Sequence, residues 1–401
     1  MSKKTISKIL ELSRKYTDDT AQFLRDLIAI PSVSSQERDV INRIKAEMQK
    51  LDYDEITIDP MGNILGRIGN GPRIIGFDAH VDTVDIGNPD LWDFDPFKGR
   101  EENGIIFGRG ASDMKGGMAA ITYAGKIIKE MGAPDDLTIY MVGSVQEEDC
   151  DGLCWQYIIN EDKIKPELVV ITEPTNLNIY RGQRGRMEME IKTSGISCHG
   201  SAPERGVNAI YKMADIIKDV EQLNVKLKDD PFLGKGTITI SEIRSTSPSL
   251  CAVADSATIH LDRRLTNGET IDSAVSEIKN LESYKKHQAK VKVLDYNIPS
   301  YTGLSYPTKK YYPTWKMDEN HPALLKAESV YNRLFNQKPV IDKWTFSTNG
   351  VATAGMFGIP TIGFGPANEI HAHSPQDQCP IEHLTKAMMF YVGLIKLEDR
   401  S

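Results

Sequence analysis

The sequence predicts an α/β fold in which one main sheet is interrupted by an inserted ferredoxin-like α+β segment. Three observations predict it. Apolar strand-like runs alternate with helical segments, and one run after another leads straight into His, Asp or Glu. Residues 185–296 then change character, with strand and helix patterns in the order β-α-β-β-α-β. Finally, a chain of 401 residues exceeds one ordinary hydrophobic core, so two domains are expected.

Composition narrows the class. Hydrophobic residues at 40% and charged residues at 26% describe a globular protein. A net charge of -8 and the lack of any Lys/Arg-rich run argue against a nucleic-acid surface. No apolar run reaches membrane-spanning length, and no signal-peptide core follows Met1, so a cytoplasmic location without membrane partners is expected. Cys150, Cys154, Cys198, Cys251 and Cys379 are an odd set without paired C-x-x-C spacing, which reads as thiols in a reducing compartment.

Residues 5–50 read as two helices. Thr17–Thr20 offers a cap, Ala21–Ile28 carries the 3.6-residue stripe, Pro31 stops it, and Ser34–Glu37 opens the next helix. Arg73–His80 is an apolar run ending in a histidine, with Asp82 two residues on. A carboxylate there can hold the far nitrogen of His80 and aim the other at a metal.

Gly108–Gly117, read Gly-Arg-Gly-Ala-Ser-Asp-Met-Lys-Gly-Gly, centres on Asp113 and precedes a helical pattern. Three readings compete: a helix cap, a phosphate loop, or a metal ligand in a tight turn. The phosphate loop fails, because Lys115 is followed by Gly116 and the Gly-x-x-x-x-Gly-Lys-Ser/Thr spacing is missing. Taken alone, the stretch favours a cap.

The rest of the chain shifts that balance. Leu137–Val145 runs into Glu147-Glu148, Leu168–Thr172 into Glu173, and Ile359–Gly365 leads on to His371 and His373. Open α/β sheets place ligands at the carboxyl ends of their strands. Singly these are solvated loop carboxylates and surface histidines. Together, His80, Asp113, Glu148, Glu173 and His373 form the imidazole and carboxylate set that suits zinc, cobalt or manganese. Adjacent side chains point apart, so Glu147 reads as a general base beside the ligand Glu148, or else as an exposed turn residue.

In the inserted segment, strands are expected over 186–192, 236–241, 257–262 and 289–294, with helices over 208–218 and 269–278. Helices at 322–335 and 381–397 return the chain to the main sheet.

His80-Val-Asp82, Gly110-Ala-Ser-Asp113-Met-Lys-Gly-Gly, Glu147-Glu148, Thr172-Glu173-Pro and Ala372-His373-Ser-Pro, in this order, resemble the M20 metallopeptidase/deacylase family. Within it the sequence is most similar to the acetylornithine deacetylase and succinyl-diaminopimelate desuccinylase branch, with a selenium-metabolism-linked hydrolase subgroup also in view. The resemblance implies a mixed-sheet metallohydrolase catalytic domain over 1–184 and 297–401, with a lid and dimerisation domain over 185–296. It implies two divalent metal ions, zinc first, with cobalt or manganese open. Asp113 would bridge them, His80 and Glu173 would complete one site, and Glu148 and His373 the other. Asp82 would orient His80, Glu147 would be the base, and the Asp113–Met114 peptide would be cis. His199, in Ser197-Cys-His-Gly, would be the lid histidine that polarises the substrate carbonyl, and Asn208 and Arg264 would bind substrate. An ordinary strand salt bridge is the competing reading of Arg264. A homodimer through the lid is also implied.

The chain departs from the family in two places. Thr345-Phe-Ser-Thr-Asn349-Gly350 puts an amide where many members have an acid, so Asn349 is expected as a substrate contact that bears on substrate identity. Gln146–Cys154 is richer in acid and sulfur than usual. The expected reaction is amide hydrolysis of an N-acyl amino acid or small peptide. Alternatives are a dipeptidase or aminopeptidase, or a non-catalytic binding protein on the same scaffold.

Overall fold

In the computed structural model, which describes residues 2–397, the chain forms a nine-stranded mixed sheet and a separate five-stranded sheet, with three small two- or three-stranded pieces. The large sheet runs Glu55–Ile58, Ile64–Gly69, Leu137–Ser144, Arg73–His80, Leu168–Ile171, Thr361–Gly363, Ile179–Gln183 and Trp315–Lys316, with Ile341–Trp344 also on Ile179–Gln183. Its centre is parallel: Arg73–His80 pairs in parallel with both Leu137–Ser144 and Leu168–Ile171, and Thr361–Gly363 continues in the same sense. These central strands are apolar on both faces, as a sheet covered on both sides requires. Helix Gly116–Glu130 is almost wholly buried and packs with helix Ile381–Lys396 on one face.

The N-terminal segment holds three helices, not two: Ser2–Lys15, Thr17–Ile28 and Arg38–Lys50. The break falls at Tyr16, which leaves helical geometry (φ -96°, ψ 7°), and no Gly or Pro marks it. Neither expected cap forms. Tyr16 and Glu37 occupy the cap positions without a side-chain cap bond.

The second sheet has its own core, built on Met187, Ile191, Met213, Ile216, Ile259 and Leu261. Its strands Gly185–Ser194, Thr237–Thr246, Ser256–Leu265 and Lys290–Val293 alternate with helices Ala209–Lys226 and Ile271–Asn280. All pair antiparallel, in the spatial order second, third, first, fourth, which is the ferredoxin-like arrangement. Tyr311–Tyr312, beyond residue 296, also pairs with Arg186–Met187. Among the described residues no helix is long and apolar enough to cross a membrane, and all five cysteines are free thiols.

Candidate metal centre and cleft

Four of the central strands point their carboxyl ends at one place. His80 is the last residue of Arg73–His80, Glu147 and Glu148 follow Leu137–Ser144, Glu173 follows Leu168–Ile171, and the loop after Thr361–Gly363 brings His373. Asp113 does not cap the helix beside it; Lys115 holds that position without a side-chain bond. Instead its carboxylate faces two histidines. Oδ1 lies 2.8 Å from His80 Nε2 and Oδ2 lies 3.2 Å from His373 Nε2. His80 Nε2 is also 3.4 Å from Glu173 Oε1 and 3.9 Å from Glu147 Oε2, and His373 Nε2 is 3.0 Å from Glu148 Oε2. Ligand atoms of His80, Glu147 and Glu173 lie within 4.8 Å of one another, as do those of His80, Asp113 and Glu148.

The loop that carries Asp113 is held from behind. The Asp113–Met114 peptide is cis. Buried Asp377 accepts the backbone N–H of Gly110 at 2.7 Å and of Ser112 at 2.8 Å, and the Ser112 hydroxyl at 2.6 Å. Gly110 has φ 85°, open to glycine at little cost, and a Cβ at Gly117 would sit 2.4 Å from Thr172 Oγ1. Lys115 is buried and donates to the carbonyls of Leu27 and Ile30, at the end of helix Thr17–Ile28.

Asp82 serves the site differently from the expectation. The nearer partner of His80 Nδ1 is the Asp82 backbone carbonyl at 2.9 Å; the carboxylate is 3.6 Å away. That carboxylate instead accepts the backbone N–H groups of Glu147 and Glu148, both at 3.1 Å, and the Ser34 hydroxyl at 2.7 Å. Glu37 likewise accepts the N–H of Gln146 at 3.0 Å. So Ser34 and Glu37, which look like cap residues in the sequence, turn out to brace the site.

The electrostatics are those of crowded acid in a dry place. Burial pushes Glu147 well above the usual carboxylate range, and burial with Asp113 pushes Glu173 up to about 8. Burial opposes charge on His80, yet Glu173, Asp113 and Asp82 hold its pKa well above normal. His373 rises to about 10 through its bonds to Asp113 and Glu148. Glu147 Oε1 and Glu173 Oε2 are buried with no hydrogen-bond partner. Buried carboxylates lacking partners are costly, and divalent cations are the partners that mixed His and carboxylate donors accept, so this donor set fits them.

The metal residues open into a cleft of about 350 Å³, whose walls also include Asp151, Arg186, Arg264, Phe346 and Glu369. Arg264 lines the cleft and makes the strand ion pair with Asp262, through Nε at 2.8 Å and Nη2 at 3.1 Å. Asn349 is elsewhere. Its amide is buried, donating to Asp78 at 2.9 Å and Ser144 at 3.0 Å and accepting from Gly152 at 2.8 Å and Cys154 at 3.1 Å. Those bonds are all internal and Asn349 does not line the cleft, a placement that favours a strut over a substrate contact. Asn208 accepts from Ile210 N–H and caps helix Ala209–Lys226. His199 is exposed on a loop of the second sheet, its Nδ1 accepting from Ser201, and it does not line the cleft.

Comparison with known proteins agrees with this architecture. The profile of peptidase family M20/M25/M40 matches residues 76–397. The chain is 54% identical over 386 residues to the uncharacterized protein YgeY of Escherichia coli (strain K12), covering 96% of each. A probable succinyl-diaminopimelate desuccinylase of Staphylococcus epidermidis is 28% identical over 215 residues, 53% of each chain. The aminopeptidase PepT of Bacillus cereus superposes with a TM-score of 0.72 at 20% identity, covering 94% of this chain and 98% of that one, a likeness of fold.

Proposed function

The chain belongs to peptidase family M20/M25/M40 and is a hydrolase, and from that premise we propose that it cleaves the amide bond of an N-acyl amino acid or small peptide with two divalent metal ions. The observation that carries this reading is Asp113, whose two oxygens face His80 and His373 separately, with Glu147 buried beside them and one oxygen free. His80, Glu173 and Asp113 would hold one ion, and Asp113, Glu148 and His373 the other. Zinc is the first candidate, with cobalt and manganese compatible with so much carboxylate.

Bound ions of this kind bring the pKa of water toward neutrality and polarise a carbonyl. The chain's own groups do the rest. Glu147 takes a proton from the attacking water and delivers it to the leaving nitrogen. The C–O bond forms, the C–N bond breaks, and an amine and a carboxylate leave. General acid–base help of this sort contributes about 10²–10⁴-fold. Arg264 holds a substrate carboxylate from the cleft wall, its guanidinium fork matching that geometry. His199 reaches the substrate carbonyl only when the second sheet closes over the cleft, from the same chain or from a second copy.

We place that second copy along Thr237–Thr246, the edge strand of the small sheet, where Ile243 is 56% exposed and nearby Leu250 fully so. Such an edge pairs readily with another. For the compartment our reading is the cytoplasm, which the odd cysteine count without C-x-x-C pairing supports.

The test is a hydrolysis screen of N-acyl amino acids against dipeptides with metal-loaded protein, repeated with Glu147→Gln. That variant keeps shape and metal and should lose nearly all kcat at similar KM. Wild-type turnover in the variant would remove Glu147 as the base. A preference for dipeptides would move the enzyme to the peptidase side of the family, and no turnover of either class would leave a binding protein.

A further inference from the structure

Arg186 and Arg264 are direct cross-strand partners, on strands Gly185–Ser194 and Ser256–Leu265. Residues directly opposite point to the same face, and two like charges so placed are destabilising. Both line the cleft above the metal residues. Each has its own acid, but the two pairings differ. Arg264 meets Asp262 squarely through two nitrogens. Arg186 only touches Asp151, Nη2 to Oδ2 at 3.2 Å, and no aligned hydrogen bond forms. Asp151 Oδ2 and Arg186 Nε are both buried without a hydrogen-bond partner. The Arg186 guanidinium is fixed over the Tyr312 ring at 4.7 Å, and Tyr312 in turn donates to Cys150 Sγ at 3.4 Å. Asp151 itself follows closely on Glu147-Glu148, so three acids of the stretch 146–154 line the cleft.

A half-buried guanidinium that is oriented by a ring, with its Nε buried and unbonded, is a site awaiting an acceptor. We propose that Arg186 is a second anion-binding residue of the cleft and that the substrate's amino-acid part is itself acidic, with one carboxylate on Arg264 and the other on Arg186. Asp151 occupies Arg186 until substrate arrives. The two arginines spring from Cα atoms about 4.5–5.5 Å apart and line the same cleft, so one small diacid can meet both. This inference rests on the amide-hydrolase reading and narrows its substrate.

Two arms test it with metal-loaded protein. Calorimetry compares glutarate with pentanoate, and turnover compares N-acetylglutamate with N-acetylglutamine. Wild type should favour the diacid in both arms. Arg186→Met should weaken glutarate and lower kcat/KM for N-acetylglutamate by about 10- to 100-fold, the range of a charge-assisted hydrogen bond, leaving pentanoate and N-acetylglutamine nearly unchanged. Asp151→Asn, which frees Arg186, should tighten glutarate. If the pair were only a strut between the sheets, both variants would lower stability and weaken all ligands alike. Equal handling of diacid and monoacid by wild type, or a uniform loss in both variants, overturns the inference. Failure to hydrolyse any N-acyl amino acid would reject the function reading instead, and the glutarate arm would still decide the role of Arg186.

Discussion

Asp82 Oδ1 accepts the backbone N–H of Glu147 at 3.1 Å, across 65 positions of sequence. One residue thereby sets the ends of two neighbouring strands, since its carbonyl also fixes His80 Nδ1 and its other oxygen takes Glu148 N–H. Asp82→Asn turns one of those acceptors into a donor facing an N–H. We expect about a 10- to 100-fold loss in metal affinity or activity, with little change in the circular dichroism spectrum. Metal titration of the variant checks this, and wild-type affinity would show that the carbonyl alone suffices.

Asn349 gives a stability prediction. Asn349→Ala strands Asp78, Ser144 and the Gly152 N–H in a buried place, and each orphaned group costs about 1–3 kcal/mol. Urea unfolding should show a drop of a few kcal/mol, while KM of the folded fraction stays near wild type. A large rise in KM with unchanged stability would return Asn349 to the substrate site.

Asp162 predicts a pH effect remote from the cleft. Burial and the neighbouring Asp59 raise its pKa from 3.8 to about 7. A carboxyl raised on folding favours the folded state while protonated. That contribution is full below 3.8 and lost as pH climbs through about 7. Asp162→Asn, which mimics the protonated form, should melt near wild type at pH 5 and above it at pH 8. Parallel melting curves at both values would contradict this.

The proposed dimer is tested at its edge. Ile243→Lys places a charge on the exposed strand without touching a core residue. Sedimentation should show wild type as a dimer and the variant shifted to monomer, with a matching loss of turnover if His199 acts across the interface. A monomeric, fully active wild type would end the proposal.

What the sequence displayed and what it hid divide along a physical line. His80, Glu148, Glu173 and His373 were visible because each ends or follows an apolar run, and parallel strands collect such ends at one place, whereas Asp113 stood out only by its glycine-rich setting beside that set. The ferredoxin-like order was visible because strand and helix periods differ. The braces were not. Asp377 bonds Ser112 across 265 positions, and Ser34 and Glu37 look like helix-cap residues until Asp82 and Gln146 are beside them. Arg186 sat within a plain alternating strand, and only the cross-strand register with Arg264 reveals its neighbour.

The grip of Asp377 on the Gly110–Ser112 backbone has a consequence for how the protein is made. A ribosome delivers the metal-loop residues long before the carboxylate that anchors them, and His373 arrives just ahead of Asp377. The small sheet, with a core entirely its own, emerges in between and has what it needs to fold first. The partly made chain therefore carries Asp113, Glu147, Glu148 and Glu173 without the framework that arranges them. The cluster of acids and histidines is therefore complete only once Thr361–Gly363, its loop and helix Ile381–Lys396 have docked onto the sheet.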